Sequence, residues 1–267
     1  MAKSRIIKEL VAEKITVLQA LDRMLVIAME IGDEALLKWI HQEKDGYKAE
    51  DVPEYRKISM RPVGTFQFFS MGTMTTCKNQ NLATIGVPDE IMQHINNHAL
   101  KDSIASILDL VETIDKGGMA GTAIKPEWFS MFEEGTNIHL LSAMLVISKT
   151  DLIRVIDSTK TRMIEVLIIL EKNFGCLDEV DIDIRDYDSS ELALLREELL
   201  KIINGKPTGN TYIITKSKIK GSNLGENNTI DKDTSVEVSP SVEVNNGKKK
   251  NRFLSWIKGL FGRKIND

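Results

Sequence analysis

WIHQEKDGYKAEDVPEYRKI, residues 39–58, contains a helix end, its stop signal and the approach to a strand. Trp39 and Ile40 anchor a helix that also carries Leu36 and Leu37. Asp45-Gly46 ends it, because glycine accepts the backbone angles of a helix C-terminus without steric cost. Tyr47 follows closely enough to pack back on the helix end, and Pro53 straightens the chain before Tyr55-Arg56 enters a strand. Glu43 and Arg56 are placed to form an ion pair, which at a surface contributes about 0–1 kcal/mol. The stretch reads as a helix-to-strand connector held by aromatic packing, so the chain mixes helices with strands.

Toward the N-terminus, residues 4–43 read as two or three helices. Ile6, Ile7, Leu10 and Val11 form one stripe, and Val17, Leu18, Leu21, Met24, Leu25 and Ala28 form another. Gly32 suits a helix C-cap and Asp33 caps the next segment. Toward the C-terminus, β-branched and aromatic positions over 57–76 (Val63, Phe66, Phe68, Phe69), punctuated by Gly64 and Gly72, predict one or two strands. Helical patterning resumes at Pro88, a first-turn proline, and runs through Ile91, Ile104, Ile107, Leu108 and Val111 to Gly117-Gly118. Residues 138–147, IHLLSAMLVI, predict a strand returning to the first. Leu152, Ile156, Thr159, Met163, Val166, Leu170 and Phe174 give the clearest helix, over 150–174, closed by Gly175. A last helix starts at Asp188, with Glu191 completing a D-x-x-E capping box, and stops at Asn204-Gly205 before Pro207.

The expected fold is α+β and mostly helical, a helical domain with a small antiparallel sheet over residues 1–205. A β-prone connector or hairpin follows at 206–230, then a flexible linker at 231–247 and a basic amphipathic tail helix at 248–267. The linker reading rests on low hydrophobicity and on SVEV occurring twice around Pro240.

Composition narrows the function classes. The chain has 267 residues with 42% hydrophobic positions, 17 glycines and 6 prolines, which excludes collagen-like and wholly disordered classes. Two cysteines, Cys77 and Cys176, exclude a disulfide framework. MAKSRIIKEL has no apolar signal-peptide core, and no run of apolar residues is long enough to span a bilayer. These features place the chain in the cytoplasm, peripheral on the inner membrane if its tail binds there. Seven basic residues from Lys248 onward against Asp267 give the tail +6, so a net charge of −4 leaves about −10 on the first 247 residues. An acidic body is a poor nucleic-acid binder, and no nucleic-acid partner is expected for it.

No catalytic, metal or cofactor site emerges from the residues. His94 and His98 stand four apart, a metal-holding spacing on one helix, but HINNH lacks the glutamate of HExxH, and a solvated face is the plainer reading. His41 and His139 are isolated, and neither cysteine has an adjacent cation to depress its pKa. DEVDIDIRDYD (178–188) lacks the glycine and closing glutamate of a calcium loop. Phosphate-binding glycine loops and nucleophile motifs are absent from the sequence.

The pattern W-[IL]-x-x-E-x-x-G-Y followed by P-E-Y-R, preceded by LVIAMEIGDEAL, resembles the AbiTii domain of bacterial abortive-infection and related conflict systems. Its matching positions are Trp39, Glu43, Gly46, Tyr47, Pro53, Tyr55 and Arg56. IRVIDSTKTRMIEVLIILEKN (153–173) is similar to the helix that closes that domain, although DSTKTR at 157–162 departs from it. The resemblance covers residues 4–205. It implies a role in defence against phage, as an effector or toxin-associated module, and implies no catalytic residue.

The appendages suggest partners. In NRFLSWIKGLFGRKI (251–265), Phe253, Trp256, Ile257, Leu260 and Phe261 oppose Lys258 and Arg263 behind Lys248, Lys249, Lys250 and Arg252. Aromatic and aliphatic residues opposed to cations describe a helix lying in an anionic headgroup layer. The same segment would also suit a protein partner or the acidic body. GNTYIITKSKIKGSNLGENNTI (209–230) alternates apolar and polar residues, which suits either homotypic β-pairing or a plain hairpin. The resulting expectation is a non-enzymatic effector or sensor. A nuclease-like toxin with a site assembled from distant residues and a self-associating scaffold are the alternatives.

Overall fold

The computed structural model describes residues 4–178 and 188–205. The helices α1 (Arg5–Val11), α2 (Val17–Ile31) and α3 (Glu34–Asp45) open the chain. Local chemistry sets their ends. The Thr16 hydroxyl accepts from the Gln19 amide at 3.1 Å while the Gln19 side chain accepts from the Thr16 amide at 3.0 Å, a reciprocal cap on α2. Gly32 ends α2 at φ +64°, and Asp33 caps α3 by accepting from the Leu36 amide at 2.8 Å.

A turn of 3-10 helix over Glu54–Arg56 leads into β1 (Lys57–Ile58), then β2 (Met60–Ser70) and β3 (Thr73–Asn81). There follow α4 (Asp89–Asn96), β4 (His98–Ala99), α5 (Ile104–Asp115), β5 (Gly121–Ile124), α6 (Ser130–Glu133) and β6 (Ile138–Ile147). α7 (Lys149–Phe174) and α8 (Ser189–Ile203) complete the described residues. The main sheet is antiparallel in the order β3-β2-β6-β5, with Met60 opposite Ile147 and Phe68 opposite Ile138. Met60, Leu140, Leu145 and Ile147 point from it into the core. β1 and β4 form a separate small ladder.

α7 is the spine, packed against α1, α2, α5 and α8. Leu152, Val155, Thr159, Met163, Val166 and Leu170 line its buried face. Its far end is tied to the start of the domain, where the Ser4 hydroxyl donates to Glu171 at 2.6 Å and accepts from the Leu177 amide at 2.9 Å.

The architecture is therefore α+β and mostly helical, as expected, with four departures in detail. The run from 88 to 115 is two helices, because Asn96-Asn97 favours helix poorly and the chain there pairs His98-Ala99 with Lys57-Ile58. Pro88 sits at the N-cap of α4, one position before the first turn. Tyr55-Arg56 lie in the 3-10 turn ahead of β1, not in a strand. Asp188 stands at the N-cap of α8 but makes no cap with Glu191, its carboxylate accepting instead from the Ser190 hydroxyl at 2.8 Å. The connector, linker and tail helix expected at 206–267 lie outside the described residues, as does most of the acidic loop at 178–188.

Candidate functional site

The residues quoted from 39–58 converge. Trp39 and Glu43 stand one turn apart on α3, which directs both into the core beneath the Glu54–Arg56 turn. Gly46 ends α3 at φ +98°, where a Cβ would meet the Lys101 carbonyl at 2.8 Å. That close approach lets the Tyr47 amide donate to the same carbonyl at 2.8 Å and turns Tyr47 back over Glu43. Pro53 precedes the 3-10 turn, and its carbonyl accepts from the Arg56 amide at 3.0 Å.

Glu43 is the hub. Its Oε1 accepts from the hydroxyls of Tyr47 at 2.6 Å and Tyr55 at 2.5 Å, and its Oε2 accepts from Arg56 Nη2 at 2.5 Å. Arg56 Nη1 donates to the carbonyl of Asp102 at 2.6 Å, and its guanidinium stands 4.6 Å over the Tyr47 ring. Trp39 Nε1 donates to the Tyr55 hydroxyl at 3.0 Å. Neither side chain of the Glu43–Arg56 pair has any solvent exposure. The pair is thus a fully buried one, and the expectation of a surface ion pair is corrected. Nested donors satisfy the carboxylate, as a charge in the interior requires.

Two residues complete the network that the connector alone does not reveal. Thr159 on α7 donates its hydroxyl to Glu43 Oε2 at 3.3 Å, and the Arg162 guanidinium stacks 3.8 Å from the centre of the Tyr55 ring. Both lie in DSTKTR. The readable signal was Thr159 itself, a polar residue inside an otherwise apolar helical stripe.

The AbiTii family model matches residues 4–187. The chain belongs to the AbiTii family. Membership gives it a role in abortive infection, a form of phage defence. No curated protein and no solved structure matches the chain. The AbiTii match stops short of α8, inside the range to 205 over which the sequence resembles the family.

In this AbiTii domain the network joins α3, the 3-10 turn, the segment before α5 and α7. Its electrostatics favour holding over reacting. Burial, reinforced by the Glu43 charge, pushes both tyrosine hydroxyls well above their ordinary range, so they remain protonated donors. Burial is the largest single influence on Arg56 and opposes its charge, but Glu43, Tyr47 and Tyr55 together keep the guanidinium above its ordinary value.

The remaining candidates are dispersed. His94 is on the exposed side of α4 while His98 follows it in β4, so they do not share a helix face. Burial pulls the His98 imidazole down to about 4. His41 lies 3.7 Å from Asp45 and His139 lies 3.3 Å from Glu133, both largely exposed. Cys77 is half-buried in β3 and Cys176 is exposed. Among the described residues, no group of three or more His, Cys, Asp or Glu side chains is placed to hold a metal ion. Among the same residues, no helix is long and apolar enough to cross a membrane. Lys248, Lys249, Lys250, Arg252, Phe253, Trp256, Ile257, Lys258, Leu260 and Phe261 lie outside the described residues.

Proposed function

We propose that this chain is a non-enzymatic effector or sensor of abortive infection that acts at an anionic membrane surface through its basic C-terminal segment. The observation that carries the reading is the complete burial of Glu43 and Arg56. The acid and base of the family block are committed to each other and to their neighbours inside the domain. They position elements, and the domain's biological output goes through its surface and its appendages.

The membrane part follows from the chemistry of residues 248–265. Seven cations are interleaved with Phe253, Trp256, Ile257, Leu260 and Phe261. Each basic residue near an anionic leaflet contributes about 1 kcal/mol, and the apolar side chains add burial in the headgroup layer. Gly259 and Gly262 disfavour helix in water, so the segment gains its helix on contact with the surface.

Vesicle co-flotation tests this directly. The full chain should float with vesicles of phosphatidylcholine and phosphatidylglycerol in equal parts and stay behind with phosphatidylcholine alone. Truncation after Gly247 should reduce flotation about tenfold or more. If the full chain floats with neither vesicle, the membrane reading fails, and the tail is then to be sought against the acidic body or a protein partner.

A further inference from the structure

β3 (Thr73–Asn81) ends the strand order β3-β2-β6-β5, so only β2 pairs with it. Met71 and Gly72, at φ 49° and 79°, make a two-residue turn of type I′, which sets Ser70 and Thr73 as a pair exchanging both backbone hydrogen bonds. Such pairs alternate along an antiparallel ladder. Thr73, Thr75 and Cys77 therefore bond to β2, while Met74, Thr76 and Lys78 direct their amides and carbonyls away from it. The register shift between Gly64 and Phe66, with Asn79 at φ 53°, interrupts the alternation beyond Lys78. Among the described residues, no backbone hydrogen bond other than those to β2 reaches the strand. The Lys78 carbonyl accepts from the exposed Gln80 side chain at 3.0 Å.

Open edges of this kind are usually blunted by charge, proline or shortness. β5, at the opposite end of the sheet, has only four residues. β3 has nine, eight of them exposed, with no proline, no acid and Lys78 as its one charge. Such an edge takes another extended backbone, and this strand is its own complement. In an antiparallel pair of two copies centred on Thr76, Met74 meets Lys78 of the second copy, Thr75 meets Cys77 and Thr76 meets Thr76. Every outward group of 74–78 is then used, in about six hydrogen bonds, whereas centring on Thr75 or Cys77 gives about four. The body carries about −10, so copies repel over most of their surface. β3 against β3 sets no acid opposite acid, and this register keeps the two Lys78 residues about 14 Å apart along the strand, beyond a Debye length.

We propose that β3 is a self-association edge through which two copies of this chain join their four-stranded sheets, antiparallel and centred on Thr76, into one sheet of eight strands. The inference does not rest on the membrane reading given above. It puts two C-terminal segments on one particle.

Sedimentation equilibrium on the full chain should show a mass rising from 30.0 kDa to twice that as concentration increases. Thr76→Pro removes an outward amide and spares every backbone bond to β2. That variant should keep the circular dichroism of the unmodified chain while its self-association weakens about tenfold or more. Cross-linking tests the register, and decides the case if Thr76→Pro does not fold. In a full chain carrying Cys176→Ser, Thr75→Cys sets a thiol opposite Cys77 of the second copy, with Cα atoms about 4.5 Å apart and within disulfide reach. Mild oxidation should then give a disulfide-linked dimer. The same chain with Thr75 retained should give little, because the two Cys77 are offset. A mass of 30.0 kDa at every concentration with no cross-link overturns the inference, whether β3 stays open or the chain's own C-terminal segment covers it. Association that Thr76→Pro leaves intact, or cross-linking that does not require Thr75→Cys, also overturns it and moves the contact to another surface or register.

Discussion

Arg56→Met is expected to lower the free energy of unfolding by about 3–5 kcal/mol, the cost of leaving one member of a buried ion pair without its partner. The Glu43 carboxylate would keep its two tyrosine donors and Thr159 but lose the cation on Oε2. The carbonyl of Asp102 would lose its donor as well. For a domain of ordinary stability, about 5–15 kcal/mol, this removes from about a fifth of the margin to all of it. Arg56→Lys should fall between, since an ammonium keeps the charge but cannot span the carboxylate and the carbonyl together. Urea denaturation followed by circular dichroism measures both. An Arg56→Met midpoint equal to that of the unmodified chain would contradict the assignment of this pair as a structural hub.

The second large effect is at Trp39, which is 2% exposed and packs in the main core. Trp39→Ala should cost about 3–5 kcal/mol, through lost burial and the cavity left in a region that α3 and the 3-10 turn share. Trp39→Phe keeps most of the ring and removes the Nε1–H donor to Tyr55. It should cost about 1 kcal/mol, the net contribution of one neutral hydrogen bond. The same denaturation series reads both variants. Equal losses for the two would mean that the hydrogen bond, and not the packing, carries the residue's contribution.

Much of this fold was legible because its element ends are made by local chemistry. Gly32 and Asp33, Gly175, and the stop at Asn204-Gly205 act through their own backbones and nearest neighbours, and each marks a helix boundary in the structure. The strand at 138–147 was legible in the apolar run IHLLSAMLVI, and it returns onto β2 as read. β5 escaped notice because Gly-Thr-Ala-Ile is short and carries little pattern, and its place is set by pairing with β6. The α4–α5 break was hidden by continuous helical periodicity on both sides of a two-residue ladder to β1.

At the site, the residue types of the family block were legible and their environment was not. Nothing in 39–58 states that Glu43 and Arg56 are sealed from solvent. That follows from α7, whose Thr159 reaches Glu43 across 116 positions of chain, and from the carbonyls before α5. DSTKTR read as a departure from the family helix, whereas two of its residues close the network. Burial is a property of the assembled domain, and it converts a surface pair worth little into one whose disruption is costly.

Phage protection by Tyr47→Phe, in cells carrying the chain in its native locus, tests the central claim most directly. The substitution removes one hydroxyl from Glu43 and leaves the Tyr55 and Arg56 contacts in place. It should cost about 1 kcal/mol and leave the domain folded at growth temperature. Protection equal to that of the unmodified chain, at matched levels of folded protein, is the result expected if the block holds the domain together. Loss of protection while the variant remains folded and abundant would contradict it, and would place a reacting group where this account places a latch.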